Sequence, residues 1–419
     1  MRCKMPLPIS PAAPLQPEAL TFDEAQRRLL ADALFPTDTE LVPAWKCAGS
    51  VLAERVGAAL DLPHADCSAM DGYALRHADI LERKTLPIQE RCYAGDLPQP
   101  LRPGHAIRLF TGAVMPVHAD TVVMQEYVRE SAGAIEVLSA PRHGQHVRKQ
   151  GEDVHAGQLL LPAGTLLRPA QIALMSSQGV DRVAVFTKLR VGILTTGDEL
   201  VAPGNVRAPQ QTFDNNGPML AALVEGMGAS VPCVVHARDN PAEIRSALAQ
   251  LLPHCDVIIS AGGASVGERD LMRSTIQSLG ATISVWQVQM KPGKPLTVAT
   301  VFDKPFVCLP GNPAAAFAVF MLLITPMIRR MQGRTAILPP SPKVGFDAQR
   351  KGHEYRDEFL RVLHVVDDEG RMRLVPFEQQ SPAALSSLAQ ASGLARVRPG
   401  CSLSPGDLAQ YYDFQHWLA

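Results

Sequence analysis

Three stretches of this sequence repeat one pattern, in which a short apolar run enters a tight loop built around glycine. Residues 189–194 lead into Thr195-Thr196-Gly197-Asp198-Glu199, residues 256–260 into Ala261-Gly262-Gly263-Ala264-Ser265-Val266-Gly267, and residues 305–309 into Pro310-Gly311-Asn312-Pro313. At the carboxyl ends of parallel strands, such loops let backbone N–H groups approach an anion, and a following helix N-terminus adds favourable potential. The chemistry implied is phosphate binding. Any one loop could use its glycine only to turn the chain; three loops of the same grammar favour a shared anion site.

Carboxylates gather in the same stretch: Asp198, Glu199, Asp214, Asp239 and Asp270. Beside a phosphate they repel it unless a divalent cation intervenes, and Mg2+ suits that role because it takes a few oxygen ligands together with phosphate and water. Competing explanations stand next to this one. Asp239 directly precedes the helix start at Asn240-Pro241 and could serve its cap, and Asp270 could simply favour a helix dipole. A third element, Met290-Lys291-Pro292-Gly293-Lys294-Pro295, puts two ammonium groups on a proline-stiffened turn beside the apolar run 285–288. That arrangement suits an oxyanion, with a solvated turn as the plain alternative.

Two further clusters interrupt strand-like patterns: Cys67-Ser68-Ala69-Met70-Asp71-Gly72-Tyr73-Ala74 and Arg148-Lys149-Gln150-Gly151-Glu152-Asp153. Taken alone, Asp71 is a turn residue ahead of Gly72, and Glu152 and Asp153 pair with Arg148 and Lys149 on the surface. The twelve histidines show no HxxxH or HxH spacing, and there is no P-loop lysine motif or GxGxxG.

Elements must position these groups. Thr21 and Glu24 have capping-box spacing, and Phe22, Ala25, Leu29, Leu30 and Leu34 follow with helical periodicity. From about 51 to 185, short Val/Ile/Leu runs such as 106–110 and 121–124 alternate with Pro, Gly and Asp turns, which reads as small β-structure. Between about 189 and 332 the rhythm is strand, glycine loop, helix, the signature of a mostly parallel α/β domain. Asn240-Pro241-Ala242-Glu243 starts a helix over 241–252 with Ile244, Leu248, Leu251 and Leu252 as its apolar stripe. After the proline-rich stretch 338–342, runs 359–366 and 371–375 flank Asp367-Asp368-Glu369-Gly370, as in a small closing β-domain. The most apolar run, 314–328, is shorter than the roughly 20 residues a bilayer needs and contains Pro326, so it reads as a buried helix.

Bulk properties exclude some classes. The 419 residues exceed one hydrophobic core, and 40 Lys+Arg against 41 Asp+Glu give no global field for nucleic acid or an anionic membrane. Eight cysteines without a CxxC spacing fit a reducing cytoplasm. Residues 1–17 are proline-rich, lack the continuous apolar core of a signal peptide, and read as a loose tail.

In order along the chain, SAMDGYA (68–74), TGA (111–113), RKQGED (148–153), TTGDEL (195–200), GGASVGERD (262–270), KPGKP (291–295) and LPGNP (309–313) resemble the molybdopterin molybdenumtransferase family, MoeA and the gephyrin E domain. The similarity runs from about Thr21 to the C-terminus. It implies an elongated, multidomain chain combining α/β and β-rich parts. The expected division is a tail (1–20), an N-terminal domain in two segments (21–55 and 145–186), an inserted β-rich domain with SAMDGYA (56–144), a central, mostly parallel α/β domain of molybdopterin-binding type (187–335), and a C-terminal small β-barrel-like domain (336–419).

The resemblance further implies a cytoplasmic transferase that inserts molybdate into adenylated molybdopterin with Mg2+ and releases AMP. Its partners would be a second copy of the chain, with the site at the subunit interface, and possible adenylyltransferase and molybdoenzyme partners, but neither nucleic acid nor membrane. By residue, Asp71, Thr111, Glu152 and Asp153 would approach from the partner subunit, while Glu199, Asp239 and Asp270 form the acidic set. Asp71, Glu199, Asp239 and Asp270 are the catalytic candidates, and Glu199, Asp239, Asp270, Glu152 and Asp153 the metal candidates. Gly262, Gly263, Ser265, Pro310, Gly311 and Asn312 would bind substrate with Thr111, and Lys291, Lys294, Arg361 and Ser387 would lie on the molybdate side. The sequence departs from the family pattern at Cys67 (usually Asn), Leu271 (often Tyr), Ala315 (usually Ser) and Ser392 (usually Asn). These departures keep open a scaffolding or weakly catalytic relative, and the TGDE and GGASVG loops keep open an adenylyltransferase-like activity.

Overall fold

The computed structural model describes residues 19–262 and 271–419. The helix Phe22–Asp32 starts where its capping box predicts: the Thr21 amide donates to Glu24 Oε2 (3.0 Å) and the Glu24 amide to Thr21 Oγ1 (3.3 Å). Phe22, Ala25 and Leu29 are buried, each large side chain contributing about 1.5–3 kcal/mol. Leu34, expected on that apolar face, lies beyond the helix end and is exposed, because the helix stops at Asp32. Arg396 holds this helix to the C-terminal sheet through Asp23 (2.8 Å) and the buried Asp357 (2.6 Å).

Strand Thr39–Pro43 pairs antiparallel with Arg182–Phe186, so the chain leaves and returns at one place. Between them lies a six-stranded sheet, in spatial order Thr121–Met124, Gly72–Leu75, Ala106–Leu109, Thr85–Cys92, Ala134–Val137 and Val128–Ser131. The central sheet runs Val234–Ala237, Val191–Thr196, Val257–Ala261, Lys304–Leu309, Thr297–Val301 and Thr282–Trp286. Its first four strands are parallel and the last two antiparallel. The all-buried patterns of Val191–Thr196 and Val257–Ala261 follow from helices covering both faces. The helix predicted over 241–252 spans Pro241–Leu251, with Asn240 Oδ1 accepting from the Ala242 amide (2.8 Å).

Pro326 does not interrupt the apolar helix: Pro313–Met331 is continuous over 19 residues, long enough to cross a bilayer by length alone, yet packed inside the protein. A π-turn at Phe320–Ile324 precedes the proline. Pro326 has no N–H for the Leu322 carbonyl, and Gln26 Nε2 of the first helix donates to that oxygen instead (3.0 Å).

In the C-terminal sheet, Asp357–Val366 pairs both with Met372–Pro376 and with Gly393–Val397, closing the ring through Leu408–Asp413 and Lys343–Phe346. Met290–Lys291 adds to it as a parallel strand beside Asp357 and Glu358. The KPGKP turn is therefore stitched to the closing domain as well as to the central one.

Candidate active site

Gly262, where the second glycine run begins, meets the other two loops at the carboxyl ends of adjacent parallel strands. The Gly262 amide donates to the Leu309 carbonyl (3.3 Å), and Asn216 Nδ2 donates to the Gly311 carbonyl (2.7 Å). Asp214, inside the acidic loop, accepts from the Gly217 amide (3.0 Å) and so fixes the start of the helix Asn216–Gly226. A Cβ at Gly262 would stand 2.5 Å from the Thr196 carbonyl oxygen, and φ there is +95°, so only glycine fits this approach. Thr196 Oγ1, Ser260 Oγ and Asn216 Oδ1 are buried without a hydrogen-bond partner. Orphaned polar atoms cost roughly 1–3 kcal/mol each unless a ligand or water completes them.

At the rim, Glu199 folds its carboxylate back over Gly197, whose Cβ would come within 2.7 Å of Oε2. The Asp239 amide donates to Asp198 Oδ1 (3.2 Å). Helix capping belongs to Asn240, which disposes of that explanation for Asp239. Gly263, Ser265 and Asp270 lie outside the described residues. Among those described, no three His, Cys, Asp or Glu side chains form a metal cluster within the chain.

Beside this floor opens a cavity of about 230 Å³ lined by Lys291, Lys294, Pro310, Asn312, Ala315 and Arg356, with Gln380 across from them. Lys291 Nζ lies 3.0 Å from Glu358 Oε1, and Arg350 grips the same carboxylate at 2.5 and 3.0 Å. Burial pushes the Glu358 carboxyl up, but the Arg350 and Lys291 bonds outweigh it and hold the group below the usual glutamate range. Lys291 thus shares its charge with an internal anion, whereas Lys294 is exposed and aligned with the cavity. Arg361 and Ser387 stand one layer back. Arg361 Nε donates to Ser387 Oγ (3.0 Å), and Nη2 donates to the Gln379 and Ser381 carbonyls (2.8 and 3.0 Å). They brace the turn that carries Gln380 and Pro382, which line the cavity. Sequence reading missed Arg356 and Glu358, both in the run 354–359, because nothing in that run marks its alignment with residues 290–291.

The remaining candidates assemble elsewhere. Cys67 and Arg148 are register partners, which brings the SAMDGYA and RKQGED segments side by side. Asp71 Oδ1 accepts from the Thr111 amide (2.8 Å) and hydroxyl (2.7 Å), and these bonds hold its carboxyl below the usual range. Glu152 accepts from Arg148 Nε (2.6 Å) and the Lys149 amide (2.9 Å), and Lys149 Nζ reaches Asp66 (2.7 Å). Asp153 is exposed, its amide donating to the Leu62 carbonyl (3.0 Å). Of the departures, Ala315 lines the cavity, Cys67 is buried, and Ser392 closes the barrel by accepting from the His364 amide (2.7 Å) and donating to the Val362 carbonyl (3.2 Å).

Glycine loops beside a lysine-lined cavity at the end of a mostly parallel sheet place the chain among α/β proteins of the molybdopterin-binding type. Family models match in tandem: the MoeA N-terminal region (domains I and II) over 20–179, a probable molybdopterin binding domain over 192–330, and the MoeA C-terminal region (domain IV) over 343–414. The chain belongs to the molybdopterin molybdenumtransferase family. It is 31% identical to the molybdopterin molybdenumtransferase of Haemophilus influenzae over 403 residues, which is 95% of this chain and all of that one. It is 41% identical to that of a Nostoc species over 305 residues, 71% of this chain and 70% of that one. A crystal structure of the molybdopterin biosynthesis MoeA protein from Pyrococcus horikoshii superposes with a TM-score of 0.79 at 26% identity, covering 94% of this chain and 99% of that one.

Proposed function

We propose that this enzyme transfers molybdenum from molybdate to the dithiolene of adenylated molybdopterin, with Mg2+, releasing AMP. The observation that carries the reading is the lysine-lined cavity, whose wall includes Pro310 and Asn312 of the loop that also meets Gly262 through Gly311. The floor takes the phosphate-bearing part of the pterin through loop amides and the Thr196 hydroxyl. Lys294, assisted by Lys291 and Arg356, holds the tetrahedral oxyanion within reach of the dithiolene, so orientation rather than covalent chemistry is the protein's contribution. Gly263, Ser265, Pro310, Gly311 and Asn312 belong to the same floor in this reading, and Arg361 with Ser387 positions its far wall.

Mg2+ needs only one or two protein carboxylates when phosphate supplies the remaining oxygens. The donor set at the rim fits that requirement: Glu199 and Asp239 would hold the ion, with Asp270 as a third candidate. Bound there, Mg2+ would offset the charge of the phosphoanhydride as it cleaves. We read Asp71, Thr111, Glu152 and Asp153 as presented to a second subunit of a cytoplasmic homodimer, since their bonds lie within their own module. Adenylyltransferase and molybdoenzyme partners are compatible with this placement.

The test is AMP release from adenylated molybdopterin by the purified chain, with and without molybdate and Mg2+. Release that requires both supports the proposal. A chain that binds the pterin and releases no AMP is the scaffold instead, and one that makes adenylated pterin from ATP is an adenylyltransferase.

A further inference from the structure

Among the described residues that line the oxyanion cavity, the cations are Lys291, Lys294 and Arg356, and the one carboxylate is Glu358. Glu358 serves Lys291 and Arg350, so the charge of Arg356 is left for a ligand. Arg356 is held instead by His353, whose Nε2 lies 2.7 Å from Arg356 Nη2 and 3.3 Å from Nε. A guanidinium donates and never accepts, so His353 Nε2 must be the acceptor. The imidazole in this arrangement is therefore neutral and carries its hydrogen on Nδ1. The Tyr355 amide also points at Nδ1 (3.4 Å), but a neutral ring has a single acceptor nitrogen, and the 2.7 Å contact assigns it to Nε2. The Tyr355 ring packs on both partners: His353 meets it edge-on at 4.6 Å, and the guanidinium carbon of Arg356 lies 5.5 Å from its centre. The backbone under His353 is fixed whatever its side chain does. Its carbonyl accepts from the Gly400 amide (2.9 Å), and a Cβ at Gly352 would stand 2.7 Å from the Cys401 carbonyl oxygen.

We propose that His353 is a positioning residue for oxyanion capture: as a neutral imidazole it holds Arg356 at the cavity wall, and on gaining a proton it lets go. An imidazolium has two donors and no acceptor, so both bonds from Arg356 are lost and two like charges face each other. Uptake of the oxyanion then weakens as His353 becomes charged. The added charge does not make up for this, because His353 stands behind the lining residues while Arg356 is one of them. The ionisable residues of the segments packed around His353 are Lys351, Glu354, Tyr355 and Arg356 on its own stretch and Arg398 and Cys401 on the turn that carries Gly400. Glu354, the only anion of that group, is exposed. The inference rests on reading this cavity as the oxyanion site.

Calorimetric titration of the full chain with molybdate alone, at about pH 8 and about pH 6 to bracket ordinary histidine titration, tests it without requiring turnover. The wild type should bind about tenfold more weakly at the lower pH, the usual worth of one hydrogen bond to a charged group. His353→Gln offers an acceptor that does not titrate; it should bind like the wild type at the higher pH and lose the drop. His353→Leu fills the space without an acceptor and should bind about tenfold more weakly at both values. Protonation of the ion itself, and of any other histidine, cancels in the comparison between wild type and variant. A wild-type affinity that is level across the two pH values, a His353→Gln chain that keeps the full drop, or a His353→Leu chain that binds like the wild type at the higher pH would each overturn the inference. Lys294→Ala is the control for the cavity. If it weakens binding while the His353 variants do not, only the role of His353 falls; if it too binds like the wild type, the cavity reading falls and the inference with it.

Discussion

The loop floor of the central sheet and the SAMDGYA–RKQGED face carry similar residue types and treat them in opposite ways. On the second face nearly every polar group is spoken for: Asp71 by Thr111, Glu152 by Arg148 and Lys149, and Asp66 by Lys149 and Gln150. On the floor, the Thr196 hydroxyl beside Gly262 and the Asn216 side-chain oxygen beside Gly311 keep buried hydrogen-bonding capacity unused. A satisfied cluster is rigid and can be presented to something else, whereas an unsatisfied buried one is waiting for a ligand. The contrast separates a presenting surface from a receiving one.

The most severe way to break it is Gly262→Ala. The new methyl meets the Thr196 carbonyl at 2.5 Å in a left-handed backbone, so the floor must open. Turnover should fall at least about a hundredfold while circular dichroism stays native, since one strained residue costs of order 1–3 kcal/mol and displaces the donors as well.

Next comes the pair of lysines. Lys294→Ala should raise the molybdate concentration for half-maximal AMP release about tenfold or more, the worth of a charge-assisted contact. Lys291→Ala should raise it less, because Lys291 already spends charge on Glu358. An equal effect of the two changes would mean that the Glu358 pairing is broken when substrate binds.

A pH experiment sharpens the same point. The Glu358 carboxyl is held below its ordinary value in the fold, so its stabilising contribution is fully present above about pH 4.5 and is lost as pH falls through the lower folded value. Glu358→Gln should therefore flatten the acid side of the melting-temperature profile and leave it unchanged near pH 7 to 8 in slope. The smallest effect is expected from Ala315→Ser, which adds a hydroxyl to the cavity wall and should lower the molybdate requirement about threefold, near the value of a single net hydrogen bond.

Much of this was legible in the sequence where the cause is local. Thr21 and Glu24, Asn240 and Pro241, and the apolar strands that lead into the glycine loops each encode their geometry within a few residues. What was not legible depends on distant partners. Lys291 meets Glu358 because Met290–Lys291 joins a sheet built from residues beyond 340. Pro326 continues a helix because Gln26, almost three hundred positions earlier, takes over the carbonyl it cannot serve. Arg361 and Ser387 bond to each other and to a turn, a relation that residue type alone does not reveal. The departure at Ser392 is likewise explained by the barrel it closes.

The most direct test of the central claim is a crystal structure of the chain with AMP and molybdate. The account predicts a phosphate oxygen within hydrogen-bonding distance of the Thr196 hydroxyl, and molybdate in the cavity beside Lys294. Both anions bound elsewhere, with the Thr196 hydroxyl still unpartnered, would contradict it.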